Sequence, residues 1–464
     1  MSRDYIPPKP KARAEKVSIV THIKLFRKDI FTSQPAKLYR AWMAEFRLPF
    51  FRSYFINDPK LVNQVLNQDP DSFPKSEIIK GALYSLLGDS VFVTNGETWK
   101  RQRRIIDPAF EGGRLRDVFP SMVEAGQNAV ERLNEVADGR PVEMEEQSSQ
   151  MAADIIFRTL FSIPISDDIA KQVFDKFREY QRTQPLMTVA SFLKMPKWIP
   201  KLQHKNTRQS SAEIRKLLNQ LTQDRFDQIK AGTAPDDLAT KIMTTKDPVT
   251  GQLFSPEEMV DQVAIFFLAG HETSASALAW TLYLLAMDTE AQQRVAQEVA
   301  DIDTFSFSNL SKLKFTRNVF KEALRLYPPV PMMIRENTKT EQFRGREIKV
   351  GSQIVLSPWH IQRHERLWDK PDVFDPDRWQ TDVTRKTARK AYIPFSSGPR
   401  VCTGAGFAMI EGVLMIAMLV RAFKIEPTDK TPVPVAHLTV RAKDGIYLKL
   451  TPRGSDTNLE QTTA

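Results

Sequence analysis

A mainly α fold with small β-sheets is what this sequence predicts, and two features carry the prediction. Apolar residues recur at helical spacing through the first four-fifths of the chain. In Arg208 to Lys230, for example, Ile214, Leu217, Leu218, Leu221 and Phe226 fall on one stripe. Strand patterns gather near the two ends: Lys349 to Leu356 follows a turn at Arg344-Gly345, and Leu438 to Leu450 alternates around an Asp444-Gly445 hairpin turn. With helices dominant and no internal repeat, this is an α+β arrangement.

The 464 residues, 41% hydrophobic and 26% charged, can build a sizeable core, which excludes wholesale disorder. No internal linker is long or polar enough to divide them, so residues 17 to 452 are expected to form one domain. Met1 to Lys16 is basic and Pro-rich without an apolar run, which predicts a disordered tail rather than a signal or an anchor. Residues 453 to 464 are expected to form a second tail. Val263 to Met287 is interrupted by His271-Glu272-Thr273-Ser274, and Val413 to Val420 is too short to span about 30 Å of hydrocarbon. No transmembrane anchor and a cytoplasmic location are therefore expected. The 66 basic against 56 acidic residues leave a formal charge of +10. No basic block is interleaved with aromatics, so the excess charge points to an acidic protein partner and not to nucleic acid.

One helix announces its own start. Ser255 can cap, Pro256 suits the first helical position, and Glu258 completes a capping box. The apolar pattern runs on to Met287, a length on the order of 45 Å. Elsewhere, Cys402 is the only cysteine, which rules out an internal disulfide, a four-cysteine zinc site and an iron–sulfur cluster. Gly398 and Gly404 bracket it in a tight loop, and a helical pattern from Ala405 to Ala422 follows directly. A thiolate at a helix N-terminus is stabilised by the dipole and by unpaired N–H groups. The alternative is an inert buried thiol, against which the two glycines, Arg400 and the following helix all speak.

Phe395, Gly398, Arg400, Cys402 and Gly404 fill every position of F-x-x-G-x-R-x-C-x-G, and this segment resembles the haem-binding loop of the cytochrome P450 family. The resemblance implies that family's fold, with a long central helix over the haem. It further implies that Cys402 is the axial thiolate of the iron of haem b (iron protoporphyrin IX) and that Arg400 reaches a propionate. Four further matches extend it over roughly residues 45 to 450. Ala269-Gly270-His271-Glu272-Thr273 is similar to the family's A-G-x-E/D-T: Gly270 would leave room for dioxygen, while Thr273 and Glu272 would relay protons. Thr273 could instead merely bond the carbonyl four residues back. A zinc protease would need histidine at 275, where Ala275 stands. Glu322 and Arg325, joined by Arg378 from Phe374-Asp375-Pro376-Asp377-Arg378-Trp379, resemble a structural ion cluster of the family. Asp377 and Trp379 depart from its usual Glu and Phe. Trp99 and Arg103 resemble W-x-x-x-R, directed at propionates, and Arg335 resembles a strand arginine with the same task. Gln362 stands where many relatives carry histidine.

Lys100, Arg101 and Arg104 fall on the other side of the helical wheel from Trp99 and Arg103, which predicts a free cationic patch for docking an acidic electron donor. By analogy with the family, Leu86, Leu87, Phe266, Phe267, Ala269, Val330, Met332, Met333 and Thr439 would line a pocket for a hydrophobic substrate of fatty acid, terpenoid or steroid type, though such side chains also suit plain core. Met187 to Trp198 would form a lid or pack against the body. The expected reaction inserts one oxygen atom from O2, with electrons from an acidic ferredoxin or flavodoxin and its NAD(P)H-dependent reductase. The expected state is a monomer. A peroxygenase of the same fold and a non-catalytic haem sensor are the alternatives.

Overall fold

The computed structural model describes residues 4–48, 51–183 and 205–454. Helices form the body: α1 (Ile19–Lys28), α2 (Pro59–Asn63), α3 (Glu77–Leu87), α4 (Gly96–Ile106), α5 (Gly112–Asp117), α6 (Phe119–Asn134), α7 (Met144–Phe161), α8 (Asp168–Thr183), α9 (Lys205–Ala231), α10 (Leu238–Thr244), α11 (Pro256–Met287), α12 (Thr289–Ala300), α13 (Lys314–Leu326), α14 (Pro358–Ile361), α15 (Asp382–Ala391) and α16 (Ala405–Ala422). Strands β1 (Met43–Leu48), β2 (Phe51–Ile56), β4 (Met333–Glu336) and β7 (Gln353–Leu356) make a sheet in the order β1-β2-β7-β4, antiparallel except where β2 meets β7. β3 (Pro141–Glu143), β8 (Phe423–Pro427) and β11 (Tyr447–Pro452) form a second sheet in the order β3-β11-β8. β5 (Glu341–Phe343) pairs with β6 (Arg346–Ile348), and β9 (Pro434–Ala436) with β10 (Val440–Ala442).

α11 is the axis of the molecule. Ser255 Oγ accepts from the Glu258 N–H, and the Glu258 carboxylate accepts from the Ser255 N–H, so the predicted capping box is made in full. Its 32 residues are apolar nearly all round, and a helix of that kind must be buried: α7, α9, α16 and α13 pack against it. α16 is the only described helix long and apolar enough to cross a membrane, and most of it is buried inside the fold.

Two local expectations need correction. Residues 4 to 9, expected to be a solvated tail, lie on the body. The Phe374 N–H donates to Tyr5 O, the Tyr327 hydroxyl donates to Pro8 O at 2.6 Å, and Lys9 pairs with Asp372. A basic, proline-rich sequence carries no sign of these partners, which are distant in the chain. The chain does turn at Asp444-Gly445, with Gly445 at φ 81°, but no hairpin forms there: β10 pairs with β9, and β11 with β8 and β3. The Glu143 carboxylate accepts the Ile446 N–H and sends the chain into the other sheet. The Arg344-Gly345 turn does close a hairpin, between β5 and β6. Residues 455 to 464 and Met187 to Trp198 lie outside the described residues.

Candidate active site

The cysteine loop is built by close backbone approach. Gly398 has φ 70°, and a Cβ there would sit 2.0 Å from Leu66 O, so no other residue fits. The Cys402 N–H donates to Phe395 O at 2.9 Å, and α16 begins three residues on. Burial pushes the Cys402 thiol up, while the Gly404 N–H, Arg103 and Lys75 pull it down. Cys402 is set deep, yet it keeps accessible surface, as does Ala269 in the middle of the otherwise buried α11. A Cβ on Gly404 would meet nothing within 4 Å.

Three cations, Lys75, Arg335 and Arg400, gather near Cys402 without a carboxylate at ion-pair distance among the described residues. The Arg400 guanidinium lies 4.1 Å from the Trp99 ring centroid and donates to Thr94 O and Asn95 Oδ1, at 3.1 and 2.8 Å. Arg335, on β4, is 4% exposed and forms a backbone bridge to Lys75, whose Nζ sits 3.6 Å from the Phe92 centroid. Burial pulls Arg335 and Arg400 down to about 10 and Lys75 well below its usual value. Unpaired buried cations are costly. With an accessible thiol between them, they fit a flat dianionic cofactor such as haem. Lys75 escaped the sequence reading because its role depends on a strand some 260 residues away, and nothing local distinguishes it. Arg103, in contrast, is engaged elsewhere: Nε pairs with Asp107 at 2.7 Å and Nη1 donates to Val401 O at 2.8 Å, so it braces the loop.

On α11, the Thr273 hydroxyl donates to Ala269 O at 2.6 Å, the back-bond a helical threonine commonly makes. A Cβ on Gly270 would come within 2.5 Å of Ile156 Cδ1, so a side chain there would push Ile156 of α7 aside. Glu272 is held from the far side. Its Oε1 accepts from Thr439 Oγ1 and from Arg441 Nε at 3.1 Å, and Arg441 Nη2 completes the clamp, while Oε2 is buried without a partner. Thr439, expected to face substrate, is 2% exposed and committed to Glu272. Beside them, Ser274 Oγ lies 2.6 Å from Oε2 of buried Glu411, whose carboxyl burial pushes up to about 8. Sequence reasoning missed both Arg441 and Glu411.

The expected pocket divides. Leu86, Leu87 and Phe267 are fully packed; Phe267 lies against Phe157, Phe161 and Phe177, and these three belong to the core. Phe266, Val330, Met332 and Met333 keep partial exposure.

The structural cluster is assembled as expected and gains members. Glu322 and Arg325 are fully buried, bonded at 2.8 and 2.9 Å, and Arg378 Nε reaches Glu322 at 2.9 Å. Trp379 Nε1 donates to the same carboxylate at 3.1 Å, a bond that phenylalanine could not make. Burial alone would raise the Glu322 carboxyl, but the two guanidiniums overcome it and leave it below its usual value. Asp377 instead pairs with Arg294 on α12. Gln362 donates to Leu324 O and Arg325 O and accepts the Ile393 N–H, tying α13 to the segment that leads into the cysteine loop.

The cationic patch on α4 is not free. Lys100 pairs with Glu97, Arg101 with Glu258, and Arg104 with Asp247, whose side chain is fully buried. These partners lie outside the helical wheel, or next to the cation on it, so the wheel alone could not cancel the charges.

Comparison with known proteins agrees with this geometry. The family model described as Cytochrome P450 matches residues 13–450. The chain is similar to Protein LUTEIN DEFICIENT 5, chloroplastic, of Arabidopsis thaliana, 29% identical over 97% of this chain and 78% of the relative. It is also similar to the cyclooctat-9-en-7-ol 5-monooxygenase of Streptomyces melanosporofaciens, 29% identical over 84% of this chain and 83% of the relative. A third relative is the cytokinin hydroxylase of Arabidopsis thaliana, 29% identical over 86% and 78%. With a lone thiol in its glycine-shaped loop, cations gathered around it and the family match spanning nearly all of its length, this chain belongs to the cytochrome P450 family, whose members bind haem and act as monooxygenases.

Proposed function

We propose that this monooxygenase inserts one oxygen atom from O2 into an apolar substrate of terpenoid, fatty acid or steroid type, with Cys402 ligating the iron of haem b. The observation that carries the reading is the accessible Cys402 thiol with Lys75, Arg335 and Arg400 unpaired around it. When bound, haem supplies the activation of dioxygen. The chain's own residues do the rest. Lys75, Arg335 and Arg400 would hold the two carboxylates of the cofactor, which offsets the cost of burying their charge. Thr273, whose hydroxyl proton is held by Ala269 O, presents its hydroxyl oxygen as an acceptor on the face of α11 that Ala269 leaves open and would have to release that bond to pass a proton on. Glu272 moves a proton through its unpartnered Oε2, while Arg441 and Thr439 fix Oε1. Phe266, Val330, Met332 and Met333 exclude water and offer adaptable apolar contact.

Among the relatives, one from Streptomyces is named for oxidising cyclooctat-9-en-7-ol, which favours a terpenoid here. Electrons come from outside, carried by an acidic ferredoxin or flavodoxin. The protein, grown with ample haem precursor, reduced and exposed to carbon monoxide, is expected to show the Soret band of thiolate ligation. Cys402→Ser is expected to lose that band. A band in the position of histidine ligation would sink the reading, and turnover with peroxide but never with reduced carrier would make the protein a peroxygenase.

A further inference from the structure

We propose that Gln34 selects the substrate, its side-chain carbonyl accepting a hydrogen bond from a hydroxyl group carried on an apolar terpenoid or steroid skeleton. This rests on the monooxygenase reading and narrows it, from an apolar substrate to an apolar alcohol.

Three stretches far apart in the chain meet around this side chain. The segment after α1 is tied to β9: the Ile30 N–H donates to Ala436 O at 3.2 Å, and Asp29 Oδ1 accepts the Ala436 N–H at 2.6 Å. Past the turn between β9 and β10, the Val440 N–H donates to Pro329 O at 2.9 Å, at the head of the stretch that holds Val330, Met332 and Met333. Pro331 O accepts in turn from the Trp359 N–H and the Ser357 hydroxyl, and Phe31 packs on the Trp359 ring with centroids 4.2 Å apart. Gln34 closes the circuit, since its Nε2 donates to Met332 Sδ at 3.4 Å. Met332 keeps partial exposure, so Gln34 stands directly behind a side chain that the reading above sets against substrate.

Gln34 is 6% exposed, and its Oε1 is buried with no hydrogen-bond partner among the described residues. Enclosing an amide with its carbonyl idle is less favourable than filling the same space with leucine or methionine, so the stability of the fold does not call for glutamine here. A thioether accepts but has no proton to give, which turns the amide N–H2 toward Met332 and leaves the carbonyl oxygen over. The sulfur is also a weak acceptor on an unbranched side chain that changes rotamer readily. A hydroxyl that turns Met332 aside meets both ends of the amide: it donates its proton to Oε1, and its oxygen accepts from Nε2. A free fatty acid is ionised near neutral pH and has no proton for Oε1.

The test is a spectroscopic titration of the ferric holoenzyme, in which bound substrate shifts the Soret band. The probes are farnesol, geranylgeraniol and androstanol, each beside its methyl ether, together with lauric acid. At least one alcohol is expected to bind the parent about tenfold more tightly than its ether, the worth of one hydrogen bond to a buried acceptor. A response to farnesol or geranylgeraniol makes the substrate a terpenoid, and a response to androstanol makes it a steroid. Gln34→Leu is expected to lose about tenfold in affinity for that alcohol and nothing for the ether, and its melting temperature without ligand should equal or exceed the parent's. Gln34→Met, closer to glutamine in length, should give the same pattern and keeps the comparison open should the leucine variant not fold. Equal weakening of alcohol and ether with a lowered melting temperature would make Gln34 a packing residue and overturn the proposal. It is overturned as well by equal affinity of the parent for every alcohol and its ether, by tightest binding of lauric acid, or by no response to any probe from a parent that shows the thiolate band under carbon monoxide. Absence of that band would instead be the failure of the monooxygenase reading.

Discussion

Glu411 lies on the helix that follows Cys402 and is enclosed by protein, with Ser274 Oγ as its hydrogen-bond partner and, among the described residues, no cation at ion-pair distance. Glu272, one helix away, has Arg441. Two carboxyl groups, Glu272 on α11 and Glu411 bonded to Ser274 of α11, are thus treated in opposite ways. One is clamped by a guanidinium and a hydroxyl, and the other keeps its proton, because burial disfavours the charged form when nothing offsets it. The carboxyl of Glu411, ordinarily near 4.5, is pushed up to about 8. In the unfolded chain it loses its proton near the ordinary value and in the folded protein only near 8. Between these limits the unfolded state binds fewer protons, so stability falls as pH rises, by roughly 1.4 kcal/mol for each unit of that window, and the loss is complete above it. Glu411→Gln cannot ionise and still offers Ser274 an acceptor. Its melting temperature should gain on the parent from pH 5 to about pH 8 and then level off, as measured by thermal denaturation. Parallel profiles would show that Glu411 does not retain its proton.

At the scale of elements, the crossing of α7 and α11 depends on a missing side chain. Gly270 is 2.5 Å from Ile156 Cδ1 when a Cβ is built on it, and that atom is the far end of a flexible side chain on α7. Gly270→Ala should therefore shift Ile156 without breaking the helix, at a cost of about 1–3 kcal/mol. Shortening the neighbour in Gly270→Ala/Ile156→Val should recover most of it, because the offending methyl is gone. Chemical denaturation of the two single variants and the double variant measures the coupling; additive losses would mean that the two side chains do not meet. The same helix carries Ala269 and Thr273, so a change in this crossing also moves the residues that face the cofactor side.

The whole molecule is closed by its first residues. Tyr5, Pro8 and Lys9 strap α11, α13 and the segment before Arg378: Tyr5 reaches Tyr283 at 3.1 Å and the Phe374 N–H at 3.0 Å, and Pro8 O accepts from fully buried Tyr327. Deleting residues 1 to 9 leaves the Tyr327 hydroxyl buried without an acceptor, a loss of about 1–3 kcal/mol. In a chain this long the melting temperature should drop by about 2–5 °C in scanning calorimetry. An unchanged transition would mean that the strap adds no stability.

The sequence by itself determined the helical body, the Ser255 start of α11, the cysteine loop and the Glu322, Arg325 and Arg378 cluster. All of these are written in local spacing or in a motif whose chemistry needs those residue types in that order. Gly398 is the clearest instance, because a backbone turned to positive φ against Leu66 O admits no side chain. Tertiary structure decided the partners. Glu272 received Arg441 and Thr439 from the C-terminal end, Lys75 received its place beside Arg335, and the α4 cations lost their freedom to Glu97, Glu258 and Asp247. It also took Leu86, Leu87 and Phe267 into the core and sent β10 and β11 to different sheets. The physical reason is common to all of them. A helical wheel or a strand pattern states which way a side chain points, but apart from Glu97 beside Lys100 the charge or the burial it meets there is supplied by residues far off in the chain, and only the folded chain brings them together.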